Sequence, residues 1–366
     1  MSRKNHPPEG SDVQPRSILL LRFRRIGDIV LTTPAVALLK KHYPNASLTY
    51  LVEEPYRRLV EGHPDIDHVI VVPAKQNRRE FMGLIRTIRR KRFDVLLDFH
   101  GGPRASWITL ASGARLKIGH AIKSKSFLYD KTAPRRGTDA PIHSVENHAG
   151  LVRALGATFE KADIPPLALP PLRPDEAAHL DGFLRENGLP GSGQIHGPIP
   201  LVVLHIGAGN VFRDWGADNE AALASHLLKI PGIFVAVIGG RADQVREEEM
   251  RRRLSSPRFL PLAGRLSLIE TAELIARASL FIGPDSGPMH LAASTNTPIV
   301  GYYGPTSPDV FGPWRPGLDP ARTVLLQKTL ACRPCRQHDC VTSDYRCLRT
   351  ISPEDVLAAA RPFLFC

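Results

Sequence analysis

Apolar and polar positions come in alternating blocks along the chain. Short continuous apolar runs at residues 17–23, 48–52, 69–72 and 93–99 read as buried strands. Stretches with helical spacing lie between them. Residues 28–42 read as mostly helix, with Pro34 restarting it after a Thr33 cap. Residues 81–91 form a basic helix whose Phe81, Leu84, Ile85 and Ile88 share one stripe. Residues 118–143 carry Lys123, Lys125, Lys131, Arg135 and Arg136 without a period, and read as a long irregular loop. Helical signals return at 144–155. A proline-rich stretch at 164–174 and a Gly/Ser/Pro-rich one at 188–200 flank a polar helix at 175–187. The domain boundary is expected within 165–199. The second half repeats the alternation, with strands at 201–206, 233–238, 280–282 and 298–302. Its helices are expected at 217–228, 244–254 and 267–278, and a last one at 353–363 has no strand after it. Repeated βα units imply parallel sheets with right-handed crossovers, one in each of two domains.

The 366 residues suffice for two domains, each with its own core. The apolar runs are far shorter than the roughly 18 residues of a membrane span. Residues 1–16 are polar, lack a signal-peptide core and read as a disordered leader. The net charge of +12 sits in the first third. Residues 1–136 hold 26 basic and 12 acidic side chains; the remainder hold 22 and 24. That excess suits an anionic partner, whether nucleic acid, anionic lipid or a phosphorylated acceptor. No nucleic-acid motif accompanies it and the basic residues lack interleaved aromatics, so nucleic acid is set aside. Cysteines cluster late, as Cys332, Cys335, Cys340 and Cys347, which argues for a reducing compartment. Their spacing is compact enough for a four-thiolate zinc site or an iron–sulfur centre. Reduced structural thiols are the simpler reading, and no metal is assigned. The 14 histidines show no metal-ligand spacing.

Three segments carry candidate chemistry. In residues 280–294 an apolar run breaks at Gly283-Pro284, and Asp285-Ser286-Gly287-Pro288 starts a helix that Asp or Ser can cap. Its free N–H groups and dipole suit an anion, and His290 in the first turn adds a donor, so a diphosphate-bearing ligand is expected. Arg24-Arg25-Ile26-Gly27-Asp28 follows the first strand. Asp28 there is either a plain helix cap or a base for a substrate hydroxyl. In the third segment, 205–215, Gly207 and Gly209 free the backbone and Arg213 can hold phosphate oxygens through two hydrogen bonds. Neither a Walker loop nor a dinucleotide fingerprint is present. Asp65-Ile66-Asp67 reads as a surface turn, and Asp285-Ser286-Gly287 lacks the glycine pattern of a hydrolase elbow.

These segments, in this order, together with Gly301-Tyr-Tyr-Gly-Pro-Thr306 and the cysteine-rich tail, resemble glycosyltransferase family 9. These are the bacterial lipopolysaccharide heptosyltransferases, and the likeness is strongest to the heptosyltransferase II branch. It spans roughly residues 17–362. The resemblance implies an α/β GT-B fold: two Rossmann-like parallel-sheet domains facing across a cleft. Residues 17–175 would form the acceptor-side domain and 176–348 the nucleotide-sugar domain. Residues 349–366 would be a C-terminal helix packing back on the first domain. The implied activity is inverting, metal-independent transfer of heptose from ADP-heptose to a lipid A–core acceptor, with no cofactor. Asp28 falls on the family's catalytic base. Gly207, Arg213 (where relatives usually carry Lys), Asp285, Ser286, Gly287 and His290 fall on its ADP-phosphate residues. Asp243 aligns loosely with a ribose-binding acid, and Arg24, Arg25, Lys123 and Lys125 are acceptor candidates. The partners implied are an ADP-sugar and a phosphorylated lipid-linked oligosaccharide at the anionic inner membrane, on the cytoplasmic side. The rival readings are another GT-B nucleotide-sugar enzyme, such as an epimerase, and a non-catalytic nucleotide-sugar-binding protein. Arg24-Arg25 and Trp215-Gly-Ala depart from the family pattern, which bears on the acceptor.

Overall fold

The computed structural model describes residues 14–135, 141–189, 199–335 and 337–364. The expected leader falls almost wholly outside them, as does Arg136. The chain divides into two compact units. The first comprises 14–24, 32–135 and 145–165; the second comprises 25–31, 141–144 and 166–364.

In the first unit, β1 (Ser17–Leu21), β2 (Ser47–Glu53), β3 (His68–Val72), β4 (Val95–Asp98), β5 (Leu116–Ala121) and β6 (Lys131–Pro134) form one parallel sheet. The order is β3-β2-β1-β4-β5-β6. Central β1 pairs Leu19 with Thr49 on one side and Leu96 on the other, and Ile18 to Leu21 are fully buried. A strand covered on both faces needs apolar residues at every position, which is why these strands read as unbroken runs. Helix α1 (Ile26–Val30) follows β1 in sequence but belongs to the second unit. Helices α2 (Thr33–His42), α3 (Arg78–Lys91), α4 (Pro103–Ala111) and α5 (Ser144–Leu155) complete the βα alternation. Pro34 does restart the helix, but Thr32 holds the cap position; its hydroxyl makes no cap hydrogen bond and pairs with Tyr50. On α3, Asn77 and Glu80 exchange capping hydrogen bonds, and Leu84, Ile85 and Ile88 are buried.

The irregular loop expected at 118–143 is corrected. Residues 116–121 and 131–134 are paired strands, and a 3₁₀ turn at Ser126–Leu128 lies between them. Strand β6 sits at the sheet edge with three of four residues exposed, so burial never imposed an apolar pattern on it.

The second unit repeats the topology. Helix α6 (Pro174–Glu186) leads into β7 (Ile199–His205), α7 (Ala217–Leu228), β8 (Phe234–Ile238), α8 (Gln244–Leu254) and β9 (Phe259–Pro261). Then come α9 (Leu268–Arg277), β10 (Ala278–Pro284), α10 (Gly287–Ala293), β11 (Ile299–Tyr303), α11 (Pro308–Phe311) and β12 (Thr323–Gln327). The strands run β12-β11-β10-β7-β8-β9, all parallel. Both units thus have the Rossmann order, with a crevice where the winding reverses: β1/β4 in one, β7/β10 in the other. Short β9 and edge β12 were not expected from the sequence; β12 is only partly buried along its length.

Helices α12 (Arg346–Arg349) and α13 (Pro353–Ala360) close the chain. The expected return of the last helix to the first domain is corrected. Val356 and Ala360 are buried in the second unit's core with Trp215 and Tyr302, and α13 packs on α7. The Trp215 indole donates to the Ile351 carbonyl at 2.7 Å, fastening that segment in place. Among the described residues, no helix is long and apolar enough to cross a membrane.

Candidate active site

The crevice between β7 and β10 gathers most of the candidate residues. At the end of β7, Gly207 adopts φ +68°, and a Cβ there would overlap the Asp243 carboxylate. Its N–H donates to Glu220 Oε1 at 3.1 Å. Only glycine combines that backbone with so close an approach. The turn therefore brings Asp243, the loosely aligned ribose candidate, against the Gly207 segment. Asp243 Oδ2 also accepts from Gly240 N at 2.7 Å.

Arg213 ends a 3₁₀ turn, Val211–Arg213. Its Nη1 donates to the Asp285 carbonyl at 3.2 Å and lies 3.4 Å from Asp285 Oδ2; its Nε donates to Gln337 Oε1 at 3.1 Å. The guanidinium is held from two sides and still keeps 29% of its side chain exposed. Asp285 is buried and accepts from the Thr306 hydroxyl at 2.5 Å. Burial outweighs Arg213 and Thr306 and lifts its carboxyl above the usual range, with Asp28 pushing the same way. A buried carboxylate so occupied anchors the cation rather than meeting a phosphate itself.

Ser286 takes the N-cap position of α10, yet its side chain does not cap. Its hydroxyl pairs with His205 Nδ1 at 3.0 Å and donates to the Pro284 carbonyl at 3.2 Å. The helix start therefore leaves its N–H groups without a side-chain cap, the arrangement that suits an external anion. Burial pushes His205 down to about 4, so it is neutral at pH 7.

Asp28 reaches the same unit by way of α1. Two glycines permit the contact. A Cβ on Gly27 would overlap the His290 ring, and a Cβ on Gly287 would stand 2.7 Å from Ile26 Cβ. The first turns of α1 and α10 thus press directly together. Asp28 is half-buried, and its Oδ2 accepts from Arg25 N at 3.2 Å. Its capping task is real. His290 is buried, and burial, with His143 adding to it, lowers its pKa to about 4. Its Nδ1 is buried without a hydrogen-bond partner. The ring is therefore a neutral wedge behind the Asp28 turn, not a cation for the phosphates.

Sequence reasoning passed over four residues. Thr306 and Gln337 steady Asp285 and Arg213. Glu220, fully enclosed and pushed by burial up to about 7, ties the Gly207 turn to Arg246, which also holds Asp214 at 2.8 Å. Thr306 closes the Gly-Pro-Thr end of β11, and that position was the available signal. Of the acceptor candidates, Arg24, Arg25 and Lys123 are exposed, while Lys125 Nζ donates to the Gly101 carbonyl. Lys123 and Lys125 flank a 3₁₀ turn and an ordered strand, not a long free loop.

Two Rossmann-like domains in one chain are the architecture of GT-B glycosyltransferases. The solved structure of a glycosyl transferase family 9 protein from Veillonella parvula matches with a TM-score of 0.80 at 24% identity, covering 95% of this chain and 97% of that one. Escherichia coli ADP-heptose lipopolysaccharide heptosyltransferase II matches with a TM-score of 0.74 at 21% identity, over 95% and 98%. In sequence, lipopolysaccharide heptosyltransferase 3 of Escherichia coli (strain K12) is 26% identical over 351 residues, 92% of this chain and 95% of the relative. The family model of glycosyltransferase family 9 (heptosyltransferase) matches residues 81–346. The chain belongs to this family and is a glycosyltransferase.

Proposed function

We propose that the enzyme transfers a heptose from ADP-heptose, with inversion, to a phosphorylated, lipid-linked core acceptor. One observation carries the reading: the Asp28 turn is seated on the first turn of α10, in the same compact unit as Arg213 and Asp285. A base and a phosphate-binding group so joined suit displacement at a carbon bearing a diphosphate. Asp28 takes the proton of the acceptor hydroxyl as its oxygen attacks the anomeric carbon, and ADP departs with the bonding electrons. Arg213 and the N–H groups of Gly287 and its neighbours meet the charge growing on the diphosphate. Preorganised donors of this kind contribute a few kcal/mol each to a barrier. That neutralisation is the task a metal performs in other sugar transferases, so the transfer step is assigned none. Asp243 accepts from the ribose hydroxyls. His290, buried and neutral, seats Gly27 and Asp28.

The basic excess of residues 1–136 draws in the acceptor's phosphates, with Arg24, Arg25 and Lys123 as exposed contacts. The same charge favours peripheral contact with the anionic cytoplasmic leaflet of the inner membrane. The test is an ADP-heptose transfer assay against a series of truncated core acceptors, with product mass as the readout. A product one heptose heavier supports the reading. Heptose transfer to none of them, with turnover of another sugar nucleotide, overturns it.

A further inference from the structure

Behind Arg213 lies a segment the transfer does not use. Among the described residues, 328–345 form no helix or strand, yet the segment meets the donor side at four points. Gln337 Oε1 accepts from Arg213 Nε at 3.1 Å and from Asn210 Nδ2 at 2.9 Å. Arg333 Nη2 donates to the Thr306 carbonyl at 2.8 Å, and Cys335 N donates to the Pro305 carbonyl at 3.0 Å. The Phe212 and Tyr345 rings meet edge to face, with centroids 5.5 Å apart. Whatever fixes this segment also fixes Arg213.

Within the segment Arg333 Nη1 donates to the Lys328 carbonyl, and the Thr342 hydroxyl and Arg346 Nε both donate to Asp344. Gln337, Ser343 and Tyr345 hold φ values of +57°, +57° and +51°, a region that costs a non-glycine residue about 1 kcal/mol or more. Val341 is 85% exposed. What its parts share is sulfur. Cys332, Cys335, Cys340 and Cys347 all line one cavity of about 30 Å³, under Phe212 and Pro305. All four are free and half-buried. That volume suits one small guest. Among the described residues, no three ligand groups yet converge closely enough to hold an ion. The thiols line the cavity without converging, so the ion itself has to draw them together.

We propose that these four cysteines bind one thiophilic divalent cation, zinc or ferrous iron, as a structural ion, and that the ion holds Gln337 against Arg213. Four sulfur ligands on a small tetrahedral site select these metals. Binding releases the thiol protons to solvent and leaves a complex of charge −2, beside the Arg333 guanidinium that lines the same cavity. The link to Arg213 rests on the donor-phosphate reading above; the ion site does not.

The test uses the full chain purified under reducing, anaerobic conditions without chelator. Metal analysis is expected to find about one zinc or iron per chain, and visible thiolate-to-iron absorption separates the two. Chelation should expose four thiols to a thiol reagent, lower Tm and weaken ADP binding about tenfold, with recovery on adding the metal back. Cys340→Ser should lose the metal. Should that variant not fold, Gln337→Ala tests the link alone: it should keep the metal and weaken ADP binding about tenfold. Reduced protein that binds ADP with all five cysteines reactive and no metal overturns the site. Equal ADP affinity with and without metal overturns the link. Arg213→Ala with unchanged ADP affinity overturns the donor reading and leaves the metal count as it was.

Discussion

In the first sheet, β1 and β4 part over Asp98; in the second, β7 and β10 part over Asp285. Both aspartates are buried, and burial raises the pKa of each. Asp98 is closed off by its own unit: His100 N at 2.9 Å, Gly101 N at 2.8 Å and the Tyr129 hydroxyl at 2.7 Å all donate to it. Tyr129 packs so tightly that a Cβ on Gly119 would overlap its ring. Asp285 instead turns its oxygens to Thr306 and Arg213, and Arg213 keeps an exposed edge. The same winding thus yields a plugged crevice in one half and a positively edged one in the other. The fold supplies the position; a few side chains decide whether it is filled or kept ready for an anion.

The comparison can be strained most at Asp28. Asp28→Asn should cut transfer by about 10²–10⁴-fold while ADP binding, read by calorimetry, stays as in the parent. Near-normal turnover would remove Asp28 as the base. Next come the two crevices themselves. Arg213→Ala should weaken ADP binding roughly 10- to 100-fold, the worth of charged hydrogen bonds. Asp98→Asn should cost about 1–3 kcal/mol in denaturant unfolding and leave ADP affinity alone. If Asp98→Asn instead cost ADP affinity, the plugged crevice would be a ligand site after all.

Acid sharpens the contrast further. His120 in the first unit and His205 and His290 in the second are each lowered to about 4, chiefly by burial. The unfolded chain protonates them near 6.5, so their contribution is whole above that pH and is lost as pH falls toward 4. Glu220, raised to about 7, runs the other way: its contribution is whole below 4.5 and is lost as pH rises through 7. Asp98, Asp285 and Glu247, also raised by burial, run with Glu220, so the histidine share is read by difference: the change in Tm from pH 7 to 5 should be less negative in His290→Asn than in the parent. An identical change in both would mean that His290 is not buried neutral. The smallest effect expected is that of salt. Transfer to a phosphorylated acceptor should fall as ionic strength rises, more than transfer to its dephosphorylated form. Equal salt responses would deny the first third a part in recruiting the acceptor.

Much of this was readable from the chain. The central strands and helices α3, α5, α7, α8 and α9 follow from periodicity and caps within a few residues. Strands β5, β6, β9 and β12 were not legible. They are short or lie at or near a sheet edge, where one-sided or partial burial leaves no pattern. Gly207, Arg213 and the Asp285–His290 turn stand out as glycine and charge at strand ends. Thr306 and Gln337 do not, because their partners lie 21 and 124 residues away.

The sequence alone determined two βα-repeat halves, a phosphate-type turn after β10, an arginine after β7 and an aspartate after β1. Each is written in local spacing and turn chemistry. Only the tertiary structure decided that α1 leaves its own sheet to join the second unit, a choice made by Gly27 and Gly287 fitting against His290 and Ile26. It alone sent the Ser286 hydroxyl to His205, kept His290 neutral and sealed Asp98 while leaving Arg213 open. Those outcomes depend on burial and on partners distant in sequence, which no local pattern records.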